Sequence, residues 1–94
     1  MYLVLLRLAD AAKVSEHLAG HRLWLEQGFN DHVFFLTGGI PAVGGGAVLA
    51  AGLSRDELTV RLADDPFVIH DVATPEVIEL DITMSDPRLV FLTA

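Results

Sequence analysis

Apolar residues come along this chain in short runs whose period changes several times, and each change marks an element. Tyr2-Leu3-Val4-Leu5-Leu6-Arg7-Leu8 is nearly continuous in its apolar character, the pattern of a strand buried on both faces and therefore central in its sheet. After Asp10, a competent helix cap, the period lengthens. Val14, Leu18, His21 and Leu25 then share one face, which predicts a helix to about Gln27 with Gly28 as its stop. A histidine thus occupies a place in the apolar stripe where leucine would satisfy the pattern. His32-Val33-Phe34-Phe35-Leu36-Thr37 is rich in strand formers, and the glycine-laden stretch Gly38 to Gly46 separates it from a second apolar run, Ala47 to Ala51. A long hairpin is the simplest reading of the pair.

Ser54-Arg55-Asp56-Glu57 is a capping box, in which the Ser54 hydroxyl accepts from the Glu57 amide and the Glu57 carboxylate accepts from the Ser54 amide. The helix it opens points Leu58 and Leu62 inward and is expected to halt near Asp64, because Asp65 precedes Pro66 and a residue before proline is pushed out of the α region. Ile78, Leu80, Ile82 and Met84 alternate with Glu79, Asp81, Thr83 and Ser85, a period-two pattern that predicts an edge strand. Asp86-Pro87 ends it, and Leu89 to Leu92 is expected as a short terminal strand or a docking tail.

The order β-α-β-β-α-β defines an α+β fold of ferredoxin-like type, with an antiparallel sheet whose middle strands are the first and third. Those two carry the apolar runs. Two helices cover one face of such a sheet, yet Leu3, Val4, Leu5, Leu6, Val48 and Leu49 alternate between both faces. An identical sheet packed on the open face, making a homodimer, is the economical cover.

Composition narrows the classes further. At 94 residues, 52% of them apolar, the chain is expected to form a single domain over 1–94, with 86–94 as a terminal tail or strand. Thirteen acidic residues against six basic give a formal charge of −7, and no basic cluster exists to neutralise phosphates, which argues against nucleic acid as a partner. The sequence contains no cysteine, so disulfides and thiolate chemistry are excluded. No run approaches the roughly 20 apolar residues of a membrane span, and Tyr2 to Leu6 is too short for a signal-peptide core, so the cytoplasm is the expected compartment.

Among chemistry-bearing residues, His21 suits general acid–base work because imidazole titrates near neutrality; the competing reading is a buried histidine satisfied by a backbone carbonyl. Asp65 reads equally as the carboxylate of an Asp-Pro turn. His17 and His21 stand at helical i, i+4 spacing, but no third ligand accompanies them, so neither a metal nor a cofactor is expected. His32 and His70 carry no pattern and read as surface or loop residues. The run Gly38 to Gly46 lacks the lysine, the hydroxyl and the following helix of a phosphate loop, and reads as a hairpin rim. Trp24, Phe34, Phe35 and Phe67 are expected in the core or as cleft wall. Ser54 is committed to its cap, and Ser15 and Ser85 have no evident base.

The strand Leu3 to Leu8, the segment His21-Arg22-Leu23-Trp24-Leu25, the Thr37-Gly38 turn, the glycine-rich hairpin, Leu53-Ser54-Arg55-Asp56-Glu57-Leu58 and Asp65-Pro66-Phe67 follow one another in a familiar order. Together they resemble the YciI-like (YCII-related) family from about residue 2 to residue 89. The resemblance implies a ferredoxin-like protomer in a dimeric α+β barrel. It also implies a cleft in which His21 and Asp65 pair as catalytic residues for proton transfer on a small cyclic or aromatic molecule. The family's glycine-proline after the second strand is Gly38-Gly39 here, with a proline only at Pro41. The alternative function is a non-catalytic ligand-binding or accessory dimeric module, in which His21 and Asp65 tie helix to loop.

Overall fold

The computed structural model describes residues 1–93. Four strands, β1 (Tyr2–Leu8), β2 (Phe34–Gly39), β3 (Gly46–Ala50) and β4 (Ala73–Glu79), form one antiparallel sheet in the order β2-β3-β1-β4. The apolar strands β1 and β3 are central, as their continuous runs predict. Helices α1 (Val14–Asn30), α2 (Arg55–Leu62) and α3 (Pro66–Ile69) complete the α+β, ferredoxin-like protomer, α3 being an added short turn of helix. Val4, Leu6, Val48 and Ala50 point from the sheet into a core shared with Trp24, Phe34, Leu58 and Leu62. Burying each large side chain there is worth roughly 1.5–3 kcal/mol. Trp24 pins the layers together: its ring meets Phe34 edge-on at 5.0 Å, and its indole N–H donates to the carbonyl of Arg61 at 2.9 Å.

Several boundaries differ from those the pattern predicts. Asp10 caps a 3-10 turn, Ala11–Lys13, through the Ala12 amide, and the α-helix proper begins only at Val14. Gly28 is not a stop. It lies buried within α1 because the Phe34 ring fills the space its side chain would need, and the helix runs on to Asn30. The reversal falls at His32, with φ of 59°, so β2 starts at Phe34 rather than at residue 32.

The largest correction concerns the last strand. β4 occupies Ala73–Glu79, and the alternating stretch from 80 to 84 lies beyond it. Among the described residues it pairs with β1 alone, from Leu8↔Ala73 to Tyr2↔Glu79, followed by one further bond from the Leu80 amide to the Met1 carbonyl. Alternation without a ladder makes no strand. Pro75 is tolerated within β4 because that strand is an edge. Likewise Pro87–Thr93 is a kinked 3-10 segment rather than a terminal strand, and it sets the Phe91 ring 5.3 Å from that of Phe35. Ala94, the end of the expected tail, lies outside the described residues.

On the sheet face away from the helices, Leu3, Leu5 and Leu49 are half-buried while Leu36 is 65% and Ile78 41% exposed. An apolar face is therefore left largely uncovered by this chain.

Candidate active site

The stripe that reads as core in the sequence of α1 has another role. Val14, Leu18, His21 and Leu25 all line a cavity of about 670 Å³ between α1 and the sheet. The fully buried residues of α1 are instead Trp24 and Gly28, with His21 shared between core and cavity, and Leu25 packs partly against the core as well. The space exists because of what stands opposite. By strand alternation the row Gly39, Gly46, Leu6 faces α1, and its two glycines present no side chain. A Cβ on Gly39 would meet nothing nearer than 3.9 Å, so the volume above it is empty. The glycine-rich hairpin thus forms one wall, its turn closed by Gly44 and Gly45 at φ near +78°, and the sequence reading of a hairpin rim agrees.

His21 is 9% exposed and Asp65 fully buried. They come together across 44 positions of sequence, with His21 Nδ1 2.8 Å from Asp65 Oδ1. The same Oδ1 accepts the Phe67 amide at 3.0 Å, so Asp65 is at once the N-cap of α3 and the partner of the histidine. A carboxylate oxygen that accepts one N–H is an acceptor for the other too, which puts the imidazole proton on Nδ1. Nε2 is then the nitrogen with a free lone pair, and it has no hydrogen-bond partner among the described residues. The Phe67 ring lies flat on the imidazole, 4.0 Å between centroids and 3° from parallel, and fixes its plane. Asp65 Oδ2 is buried with no partner among the described residues. A buried carboxylate with one oxygen unsatisfied is costly, of the order of 1–3 kcal/mol, a kind of strain that functional sites retain.

Both sequence readings of Asp65, turn residue and histidine partner, are therefore realised by one oxygen atom. The backbone-satisfied alternative for His21 is not what the geometry shows. His17 turns elsewhere, its ring stacked on that of His70 at 4.0 Å, and His70 is exposed, as its lack of pattern predicts. Among the described residues no three of His, Cys, Asp and Glu gather as a metal site. Phe67 is cavity wall, Trp24 and Phe34 are core, and Phe35 packs on the tail. Arg22, to which the sequence analysis assigned no role, also lines the cavity. Its signal was present: it follows His21 and shares its helical turn.

The fold and the buried histidine–aspartate pair define a small α+β protein with a preformed, mostly apolar cavity. No family model matches the chain, and no curated protein does. Among solved structures it is similar to 5-chloro-2-hydroxyhydroquinone dehydrochlorinase (TftG) from Burkholderia phenoliruptrix AC1100, in complex with 2,5-dihydroxybenzoquinone. The TM-score is 0.68 at 16% identity, over 86% of this chain and 94% of that one. At that identity the likeness shows the shared fold. No helix among the described residues is long and apolar enough to cross a membrane.

Proposed function

We propose that this chain is a YciI-like enzyme that moves a proton on a small cyclic or aromatic molecule bound in the cavity, with His21 and Asp65 as the working pair. The observation that carries the reading is the oriented imidazole: Nδ1 is tied to Asp65 at 2.8 Å, and the ring forms part of the cavity wall. His21 Nε2 takes a proton from an acidic O–H or C–H of the substrate. Asp65, 2.8 Å from Nδ1, faces the positive charge the ring then carries and holds it in orientation. The proton returns at another atom of the substrate, giving isomerisation, or leaves while a leaving group departs with its bonding electrons, giving elimination. The dehydrochlorinase name of the structural neighbour is consistent with the second outcome. A volume of 670 Å³ suits a single ring with substituents.

A second reading has its own support. Asp65 caps α3 through Phe67, so the pair also clamps α3 to α1 and would do so in a non-catalytic binding module. Turnover separates the two. Incubation with 5-chloro-2-hydroxyhydroquinone and related hydroxylated quinols, followed by chloride release and by deuterium incorporation from heavy water, is expected to show catalysis by the parent protein. It is expected to fall at least about 100-fold in folded His21→Ala, the usual scale of a lost acid–base group. Absence of turnover and exchange throughout, or equal rates in His21→Ala, would leave the binding-module reading.

The uncovered sheet face supports the further proposal that two protomers join through it as a homodimer of the α+β barrel type.

A further inference from the structure

Resting on the cavity being the ligand site, we propose that Arg22 is its anion-recognition residue, so that the ligand is a ring-bodied molecule bearing a carboxylate or an ionised ring hydroxyl. Of the chain's six cationic side chains, Arg7, Arg61, Arg88 and Lys13 sit against the carboxylates of Glu76, Asp31, Asp86 and Asp10, and of the remaining two, Arg22 and Arg55, only Arg22 lines the cavity. Arg22 makes no ion pair or hydrogen bond among the described residues, and it lines the cavity immediately after His21. No Asp or Glu shares that lining, although the chain as a whole carries −7. The field of the molecule repels anions, while the lining of this cavity includes a guanidinium that no carboxylate among the described residues engages. The rest of the wall is apolar, chiefly Leu6, Leu8, Leu18, Leu25 and Phe67, which suits a ring body. A ligand whose ring lies on those leucines places an anionic substituent toward exposed Arg22 and a neighbouring ring position toward His21 Nε2.

Matched probes test the charge requirement without needing turnover. Benzoate with benzamide, and cyclohexanecarboxylate with cyclohexanecarboxamide, would be titrated into the full chain and followed by amide chemical shifts. The acid of each pair is expected to bind at least about 10-fold tighter than its amide, the size of one charge-assisted contact. Arg22→Gln is expected to abolish that preference and Arg22→Lys to restore part of it. Equal affinities for acid and amide, a preference unchanged in Arg22→Gln, or no shift of cavity residues with any probe would overturn the proposal. The proton-transfer reading fails separately. If the acid preference is present and Arg22-dependent while the parent protein turns nothing over, the recognition role stands and the catalytic role falls.

Discussion

Gly28 decides how closely α1 approaches β2. In an exposed helix interior, alanine is better than glycine by about 1 kcal/mol, so Gly28→Ala would stabilise if propensity ruled. Here the Phe34 ring occupies the place of the missing side chain, and Phe34 is 2% exposed with no room to retreat. Overpacking costs typically 1–3 kcal/mol, which outweighs the propensity gain, so a lowered urea midpoint is expected for Gly28→Ala. At this scale His21 was legible as a histidine in an apolar stripe, whereas Asp65 read locally as a turn residue and its pairing with His21 came from the family resemblance alone. The cavity was not. Val14, Leu18 and Leu25 have the spacing of core residues, and only the glycines opposite them, on strands distant in sequence, decide that they line a space. Arg22 was missed for the same reason, since an arginine beside an apolar stripe is what any amphipathic helix shows.

Among elements, α2 rests on the box that its sequence announces. Ser54 Oγ accepts the Glu57 amide at 3.1 Å, and Glu57 Oε1 accepts the Ser54 amide at 2.9 Å. Ser54→Ala is expected to cost about 1 kcal/mol in a denaturation series. The bond from the Ser54 backbone amide, and secondarily the contact with its side chain, hold the Glu57 carboxyl below its ordinary value of 4.5. A lowered folded value means that the contribution is fully present above the unfolded titration and is lost as pH falls through the folded one. The stability gap between the parent chain and Glu57→Ala is therefore expected at neutral pH and should close in acid; a gap independent of pH would show that the carboxylate is not the capping group. The local rule succeeded here because both partners lie three residues apart. It failed at β4, where Ile78 to Met84 alternates well but the ladder with β1 runs only from Ala73 to Glu79. Pairing partners are a long-range fact that a period cannot carry.

For the whole molecule, the two faces of the sheet divide the consequences of adding charge. Val48 is 1% exposed and points to the helices, so Val48→Glu is expected to unfold the chain. Leu5 faces the other way and is half-buried in the protomer. If the open face is the proposed dimer contact, Leu5→Glu is expected to give a folded monomer by sedimentation where the parent chain sediments as a dimer. A folded parent chain that is monomeric at micromolar concentration would refute that contact. The apolar alternation on β1 and β3 made this face legible from the sequence, whereas its partial approach by the tail, through Phe91 on Phe35, was not, since that contact spans the breadth of the sheet.

The account stands most directly on the orientation of one imidazole. Long-range proton–nitrogen NMR of the histidine rings reports which nitrogen carries the proton in the neutral form, and His21 is assigned by its loss in His21→Gln. The account predicts the Nδ1–H form for His21, with that proton shifted far downfield by the Asp65 carboxylate. Loss of the downfield signal is expected in Asp65→Ala, and a change at Nε2 when benzoate is added as a probe of the cavity. A neutral His21 protonated on Nε2, or a spectrum unchanged in Asp65→Ala, would contradict it.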